Sequence, residues 1–205
     1  MAHHPIYLFR HGETIWNAEK RAQGHLDSPL TEAGRAQARA MGRALAQELA
    51  QAGYAPADVA VRASPLGRVR ETLALAAEAA GLAHDETCHD HRLREYSWGD
   101  WDGLNGTEIE ARFPGEMAVR LLDKWNYCPP NGENYVMVVE RAQAALDDIV
   151  ALAAGKPVAV FAHGAIGRVL RGLFLRASND DILAMDQPQD AFYRLHDGAA
   201  HRIAG

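Results

Sequence analysis

Residues 6–17 read Ile-Tyr-Leu-Phe-Arg-His-Gly-Glu-Thr-Ile-Trp-Asn, and the character of the chain changes abruptly within them, at Arg10. The four apolar residues at the start predict a short buried strand. A cation, an imidazole and a glycine follow, and the glycine allows the backbone to turn tightly. Ligands bind beyond the carboxyl ends of strands in open α/β sheets. An isolated Arg-His pair is more simply explained as a strand cap and a turn residue, so the rest of the chain decides whether Arg10 and His11 form a site.

The composition is that of one domain spanning residues 1–205, since domains typically contain about 100–200 residues. The formal net charge of −6 argues against a nucleic-acid-binding or membrane-surface protein, because both need a basic face. Two cysteines without framework spacing suit a reducing compartment. No apolar run reaches the roughly 20 residues of a membrane span, and the start of the chain lacks a signal-peptide pattern, so we expect a cytoplasmic protein. No pattern indicates an oligomeric state.

Strand patterns alternate with helical patterns along the chain. Strands are predicted at residues 6–9, 59–62, 158–161 and 191–195, with a further one in the polar segment 82–104. Helices are predicted at residues 14–20, 32–52, 66–80, 106–112, 116–124, 135–154 and 166–175. This alternation predicts an α/β fold, a three-layer α/β/α sandwich with a mostly parallel central sheet. Residues 82–134 could form an inserted cap over the site.

Two of the predicted strands end in the same way. Leu8-Phe9-Arg10-His11-Gly12 closes the first strand, and Val160-Phe161-Ala162-His163-Gly164 closes a late one. If these strands are neighbours in one parallel sheet, His11 and His163 face the same crevice although they lie far apart in sequence.

A third strand end adds further positive charge. It supplies Arg62 and, one turn into the following helix, Arg68. Unpaired positive charge in a crevice is costly, so we expect an anion to bind there. The helix N-termini at Ser64 and Gly164 would add main-chain N–H donors to that anion.

Six short blocks of sequence now make the pattern specific. They are Phe9-Arg10-His11-Gly12-Glu13-Thr14 with Trp16-Asn17; Arg21 to Thr31 (RAQGHLDSPLT); Ser64-Pro65-Leu66-Gly67-Arg68 with Glu71-Thr72; Leu93-Arg94-Glu95 with Trp98-Gly99 and Trp101-Asp102-Gly103; Pro130-Asn131-Gly132-Glu133-Asn134; and Ala162-His163-Gly164. In this order they resemble the signature blocks of the histidine phosphatase (phosphoglycerate mutase-like) superfamily, over roughly residues 5–195. One block alone would be a weak signal, whereas six in order are specific.

The resemblance implies a role for each core residue. His11 would be the nucleophile and form a phosphohistidine intermediate. Arg10 and Arg68 would neutralise the phosphate oxygens that repel a nucleophile, and the planar fork of arginine matches phosphate geometry. His163 would stabilise charge in the transition state.

Glu95 would protonate the leaving alkoxide and later activate water. Without the resemblance, the simpler interpretation of Glu95 is a surface partner of a neighbouring arginine. The resemblance also implies substrate-binding roles for Asn17, Gln23, Gly24 and Gly164, and it implies no metal and no cofactor.

Within this family the short chain and the compact segment 95–134 favour a phosphatase that acts on a small phosphorylated metabolite. The alternative is a cofactor-dependent mutase, which usually has a longer middle segment. A non-catalytic phosphate-binding member is less favoured, because no core histidine or arginine is missing. Which ester is the substrate is not readable from the sequence.

Three features leave alternatives open. Arg70 either points into the mouth of the pocket or pairs at the surface, and we favour the surface. The stretch His84 to His91 is rich in metal-ligand residue types but lacks a metal-site spacing, so a polar strand edge is the better interpretation. The aromatic rim is expected to set substrate choice, although two or more of its members could be plain core: Trp98, Trp101, Trp125 and Tyr127.

Overall fold

A five-stranded mixed sheet forms the centre of residues 4–205, the part of the chain that the computed structural model describes. Its strands are β1 (Ile6–Arg10), β2 (Ala60–Ala63), β3 (Val158–Ala162), β4 (Ala191–His196) and β5 (Ala199–Ala204), in the spatial order β2-β3-β1-β4-β5. Strands β2, β3 and β1 are parallel, and the β1–β4 and β4–β5 pairs are antiparallel. The expectation of a mostly parallel sheet is therefore wrong.

The antiparallel edge arises from a hairpin that the predicted elements did not include. Asp197 and Gly198 join β4 to β5, and both adopt positive φ, 49° and 72°. A two-residue turn of this kind can join only antiparallel strands, and Asp-Gly is one of its preferred sequences. The hairpin adds β5 to the sheet antiparallel to β4, and β4 itself runs antiparallel to β1.

Eight α-helices lie in the described part of the chain. They are α1 (Ile15–Ala18), α2 (Glu32–Ala52), α3 (Gly67–Ala80), α4 (Gly106–Arg112), α5 (Glu116–Leu122), α6 (Tyr135–Ala153), α7 (Gly164–Leu175) and α8 (Asn179–Ala184). The seven predicted helices are confirmed, and α8 is an addition. Helix α2 has the local signals that predict helix boundaries. The Thr31 hydroxyl accepts the Gly34 N–H at its start, and Gly53 ends it at φ 76°. Within residues 4–205 no helix is both long and apolar enough to cross a bilayer.

Helices pack on both faces of the sheet because side chains alternate along β1. Tyr7 and Phe9 point to the face covered by α2 and α3, where they share a buried cluster with Leu45 and Leu73. Ile6 and Leu8 point to the opposite face, which α6 and α7 cover. The result is three layers, helix on sheet on helix.

The polar segment 82–104 contains no strand, contrary to expectation. It forms turns of 3-10 helix at Glu86–Cys88, His91–Leu93 and Gly99–Trp101. The carboxylates of Asp85 and Asp90 accept the N–H groups of residues 87 and 92, and such local bonds compete with strand pairing. The segment therefore crosses the end of the sheet as turns.

Candidate active site

His11 and His163 lie together at the carboxyl edge of the sheet. Strands β1 and β3 pair in parallel with Arg10 opposite Ala162, so the residues that follow each strand emerge side by side. The two imidazole rings are buried, their centroids are 5.3 Å apart and their planes meet at 64°. Because β1 and β3 are parallel neighbours that end in similar sequences, both histidines lie next to each other at the edge of the sheet.

The His11 ring is held as a neutral imidazole with one free nitrogen. Its Nδ1 lies 2.8 Å from the Gly12 carbonyl oxygen, which can only accept, so Nδ1 carries the proton and donates it. Burial lowers the pKa of His11 well below its ordinary value, and the positive charges of Arg68 and Arg10 lower it further. The Nε2 lone pair is therefore available for attack on an electrophile.

The His163 ring is oriented by Ser64. Its Nε2 lies 2.7 Å from the Ser64 hydroxyl oxygen, and that oxygen accepts the Leu66 N–H at 3.4 Å. A hydroxyl has one proton and two lone pairs, so Ser64 can donate to Nε2; in that tautomer the proton of the imidazole lies on Nδ1. That Nδ1 is buried and has no partner within residues 4–205. Burial, followed by the charge of Arg68, lowers the pKa of His163 well below its ordinary value.

The depressed pKa values of these two histidines predict a loss of stability in mild acid. The unfolded chain takes up protons near pH 6.5 and the folded chain does not, so the stability present above pH 6.5 falls as the pH drops below it. Between pH 7.5 and 5.5 each histidine should lower the free energy of unfolding by up to about 1.4 kcal/mol. Urea unfolding in phosphate-free buffer measures this.

The control for that measurement is His163→Asn, which removes one of the two titrations. We expect the variant to lose less stability than the wild-type protein between the two pH values. An identical pH dependence in both proteins would contradict the depressed pKa of His163.

The Arg68 guanidinium is buried behind the histidines. Its two Nη atoms donate to the carbonyls of Gly24 and Leu26 and to the carboxylate of Asp27 at 2.7–2.9 Å. Asp27 also accepts the N–H groups of Gly67 and Arg68 at the start of α3. This fixes the guanidinium, whose Nε is buried without a partner in the described chain.

Arg10 is fixed in a similar way. Its Nη1 donates to the Gln187 carbonyl, and its Nε is likewise buried without a partner within residues 4–205. Burial lowers its pKa, and the nearby Glu95 carboxylate opposes that effect. Arg10 lines one cavity with His11 and another with His163, and the charges of Arg10 and Arg68 lower the pKa of both histidines, so the four side chains form one cluster.

Two residues that the sequence analysis places near this cluster make other contacts. The N–H of Gly24 donates to Asp102 and its carbonyl accepts from Arg68, and a role of Gly24 in substrate binding stays a prediction. Arg62 does not join the cluster: its guanidinium turns back to the Val61 carbonyl, in a surface pocket beside residues 83–88. Strand β2 directs it there because side chains alternate and its neighbours Val61 and Ala63 are the buried ones.

The Glu95 carboxylate lies at the N-terminus of α7. Its Oε1 accepts the N–H groups of Tyr96 and Ile166, and its Oε2 accepts that of Ala165. Oε2 therefore keeps a lone pair that could carry a proton. Glu95 is 8% exposed and lines the same cavity as His11, so the surface interpretation of Glu95 is wrong.

Three further residues supply donors to the cavity. The Gln23 side-chain oxygen accepts from the Thr14 hydroxyl, which leaves its buried Nε2 without a partner within residues 4–205. Asn17 lines the cavity, and its Oδ1 accepts from the Thr14 N–H and from Gln189, which leaves its NH₂ group as the donor for a ligand. At the start of α7 the N–H groups of residues 165–167 are bonded, and that of Gly164 is the remaining donor.

Four buried side-chain nitrogens of the predicted site residues have no hydrogen-bond partner within residues 4–205. They are Arg10 Nε, Gln23 Nε2, Arg68 Nε and His163 Nδ1. A buried unpaired donor costs about 1–3 kcal/mol, so a site that keeps several of them is adapted to an acceptor. Donors converging on one nucleophile suit a tetrahedral oxyanion such as a phosphoryl group.

The cavity at this site has a volume of about 300 Å³. Of the predicted aromatic rim, Trp98 lines it, whereas Trp101 is fully buried in a small core with Leu104 and Ile109. Trp125 stacks on Tyr135, and Tyr127 packs against Trp101. Only part of the expected rim therefore faces a ligand.

Arg70 and the stretch His84 to His91, for which the sequence leaves alternatives open, lie outside the cavity. Arg70 pairs with Glu86 at 2.8 Å on the surface. His89 contacts the same carboxylate, at 3.5 Å. Among residues 4–205 no group of three or more His, Cys, Asp or Glu side chains is placed to hold a metal ion.

Sequence reasoning missed the residues that position the core. The Asp27 carboxylate accepts from Arg68, and the Ser64 hydroxyl contacts the ring of His163, which is 99 positions away in sequence. Arg141 donates to the carbonyls of residues 92, 94 and 95, and its ion pair with Glu133 at 2.9 Å secures it. No local pattern marks these pairings, because each joins segments that only the fold brings together.

Comparison with known proteins gives consistent matches. The family model of the histidine phosphatase superfamily (branch 1) matches residues 6–200. The chain is 36% identical over 165 residues to 2,3-bisphosphoglycerate-dependent phosphoglycerate mutase 2 of Gloeobacter violaceus, covering 78% of this chain and 70% of that protein.

Solved structures match over nearly the whole chain. A mycobacterial glucosyl-3-phosphoglycerate phosphatase superposes with a TM-score of 0.77 at 28% identity, covering 95% of this chain and 90% of the other. YhfR of Bacillus stearothermophilus superposes with a TM-score of 0.76 at 30% identity, covering 96% and 94%.

Proposed function

Because the chain belongs to the histidine phosphatase superfamily, branch 1, we propose that it is a phosphomonoester hydrolase that acts on a small phosphorylated metabolite through a phosphohistidine intermediate. The observation that carries the proposal is the set of unpaired buried donors around the free Nε2 of His11. Unpaired donors of this kind support the proposal, because a phosphoryl group under attack needs hydrogen bonds to its oxygens.

The first half of the reaction transfers the phosphoryl group to His11. The Nε2 lone pair attacks phosphorus, the bond to the ester oxygen breaks, and Glu95 gives its proton to the leaving alkoxide. Arg10 and Arg68 balance the charge on the non-bridging oxygens, and His163 donates from Nδ1 to one of them. The Gly12 carbonyl stabilises the charge that develops on the His11 ring, since it accepts from Nδ1.

The second half returns the enzyme to its starting state. The Glu95 carboxylate removes a proton from water, the resulting hydroxide attacks phosphorus, and the N–P bond breaks. Inorganic phosphate leaves, His11 is again a neutral imidazole and Glu95 is again protonated. The net change is one ester and one water converted to one alcohol and one phosphate.

The compact segment between Glu95 and Asn134 supports hydrolysis over phosphoryl transfer between substrates. A mutase has to retain its intermediate and exclude water while the phosphoryl group is re-transferred. The 36% identity to a mutase nevertheless favours mutase activity as the second candidate.

One experiment separates the candidates. Purified protein is incubated with p-nitrophenyl phosphate and, separately, with 3-phosphoglycerate with and without 2,3-bisphosphoglycerate. We expect stoichiometric release of inorganic phosphate from p-nitrophenyl phosphate. Formation of 2-phosphoglycerate without net phosphate release would instead establish the mutase, and the absence of both reactions would refute an enzymatic role.

A further inference from the structure

Two side-chain amides line the cavity, and each has two opposite groups that could face a ligand. Asn17 and Gln23 each carry an oxygen that accepts hydrogen bonds and an NH₂ group that donates them. A half-turn of the amide exchanges the two groups with almost no change in shape. Because phosphate oxygens accept hydrogen bonds, the NH₂ group attracts a phosphoryl group and the amide oxygen repels it. The affinity of the cavity for phosphate therefore depends on how these amides are oriented.

The Thr14 hydroxyl fixes the orientation of the Gln23 amide. Thr14 is the N-cap residue of α1, and its side chain is fully buried. Its hydroxyl oxygen accepts the Asn17 N–H at 3.1 Å, and its hydroxyl proton is donated to the Gln23 Oε1 at 2.8 Å. The oxygen of the Gln23 amide is thus occupied, whereas its buried Nε2 has no partner within residues 4–205. The NH₂ group is the part of Gln23 that remains for a ligand.

The Asn17 amide is fixed by two donors. Its Oδ1 accepts the Thr14 N–H at 3.2 Å, as part of the capping box of α1, and the Gln189 Nε2 at 2.8 Å. Gln189 belongs to the loop between α8 and β4 and lies 172 positions from Asn17 in sequence. A half-turn of the Asn17 amide would place its NH₂ group against these two donors. The NH₂ group of Asn17 is therefore directed away from them.

Thr14 and Gln189 lie behind the two amides. Neither is among the described residues that line the cavity, whereas Asn17 and Gln23 both are. Their hydrogen bonds reach a ligand through these two lining residues. Donors that are already oriented bind an anion more tightly than donors that first have to be reordered, because the ordering entropy is lost on folding and not on binding.

We propose that Thr14 and Gln189 are positioning residues for phosphate binding, which orient the Gln23 and Asn17 amides so that both NH₂ groups face the phosphoryl group. The inference rests on the proposed function, because it takes the cavity beside His11 as the phosphoryl site. It assigns a role to Gln189, which lies outside the six sequence blocks, and it gives Thr14 a role beyond capping α1.

A double-mutant cycle between Thr14 and Gln23 tests the first pair, with the binding of inorganic phosphate measured by calorimetry. Thr14→Val removes the hydroxyl and keeps the shape of the side chain, so the Gln23 amide is free to turn and the Kd of phosphate should rise about tenfold. Thr14→Ser retains the hydroxyl and should keep the Kd within about twofold of the wild-type value. In a Gln23→Leu background, Thr14→Val should cause no further rise.

The Gln23→Leu background separates positioning from capping. Thr14→Val also removes the cap of α1, and that loss would weaken phosphate binding whether or not Gln23 is present. An equal rise in Kd in both backgrounds would therefore overturn the proposal, and so would an unchanged Kd in the Thr14→Val protein. The control is Thr107→Val, an exposed threonine on α4 outside the cavity, which should leave the Kd unchanged.

A second cycle tests Gln189 through Asn17. Gln189→Leu removes one of the two donors to the Asn17 oxygen, and we expect the Kd of phosphate to rise about fivefold. The effect should disappear in an Asn17→Ala background. Gln143→Leu, at an exposed glutamine on α6, is the matched control and should leave the Kd unchanged. No rise in the Gln189→Leu protein, or the same rise without Asn17, would overturn the role of Gln189.

The outcome stays distinct from that of the proposed function, because phosphate binding does not require turnover. If phosphate binds but p-nitrophenyl phosphate is not hydrolysed, the proposed function fails and the two cycles still decide the orientation of the amides. If p-nitrophenyl phosphate is hydrolysed and the effects do not depend on Gln23 and Asn17, only the positioning role fails. A wild-type protein that binds no phosphate would overturn the positioning role outright.

Discussion

Replacing His11 with Ala should abolish the release of phosphate, lowering kcat by about 10⁴-fold or more. The variant retains the arginines and so can still bind a phosphate ester, but no other group takes the place of the Nε2 lone pair. Loss of a nucleophile from a preorganised site typically removes nearly all catalysis. Steady-state release of phosphate from p-nitrophenyl phosphate measures the effect.

The control for this variant is His84→Ala, an exposed histidine outside the cavity. It should retain wild-type turnover. Urea unfolding of the His11 variant at pH 7.5 shows whether the fold persists. A folded His11→Ala protein with more than about 1% of wild-type turnover would contradict the nucleophile assignment.

Replacing Glu95 with Gln should have an effect that depends on the leaving group. For an alkyl phosphate such as glycerol 3-phosphate, the alkoxide cannot leave readily without a proton, so kcat should fall by about 10²–10⁴-fold. For p-nitrophenyl phosphate the leaving group is a stabilised phenolate, and the loss should be much smaller in the phosphoryl-transfer step. Single-turnover measurements with both esters give the comparison.

A structural role of Glu95 would produce a different result. The carboxylate accepts three main-chain N–H groups, so the glutamine amide would place an NH₂ opposite one of them. A defect from this disturbance would slow both esters equally. Equal losses with both esters would therefore contradict the general-acid assignment, whereas a loss confined largely to the alkyl ester supports it.

The part of the fold that could be predicted from the sequence is the part with local signals. Helix α2 has a capping threonine and a terminating glycine, and the strands β1 and β3 are short apolar runs with the same ending. Those endings also located His11 and His163, because parallel neighbours end at one edge. The Asp197-Gly198 pair is also a local hairpin signal, but our sequence analysis predicts no strand after it and so does not include β5.

The missed features depend on long-range contacts. Asp27 and Arg68 are 41 positions apart, and neither has a pattern that identifies the other. The burial of individual side chains is also a property of the fold. Burial lowers the pKa of His11, and it makes the donors without a partner in residues 4–205 costly.

Phosphorylation of His11 during turnover is the central claim, and rapid acid-free quenching tests it most directly. The protein is mixed with a ³²P-labelled phosphate ester for milliseconds, denatured in alkali and digested, and the labelled peptide is identified. A phosphohistidine resists alkali and is lost in acid, unlike a serine ester. The account predicts alkali-stable label on the peptide that contains His11, formed and discharged at rates compatible with kcat, and absent from His11→Ala. Turnover without any labelled protein, or label on a different residue, would contradict it.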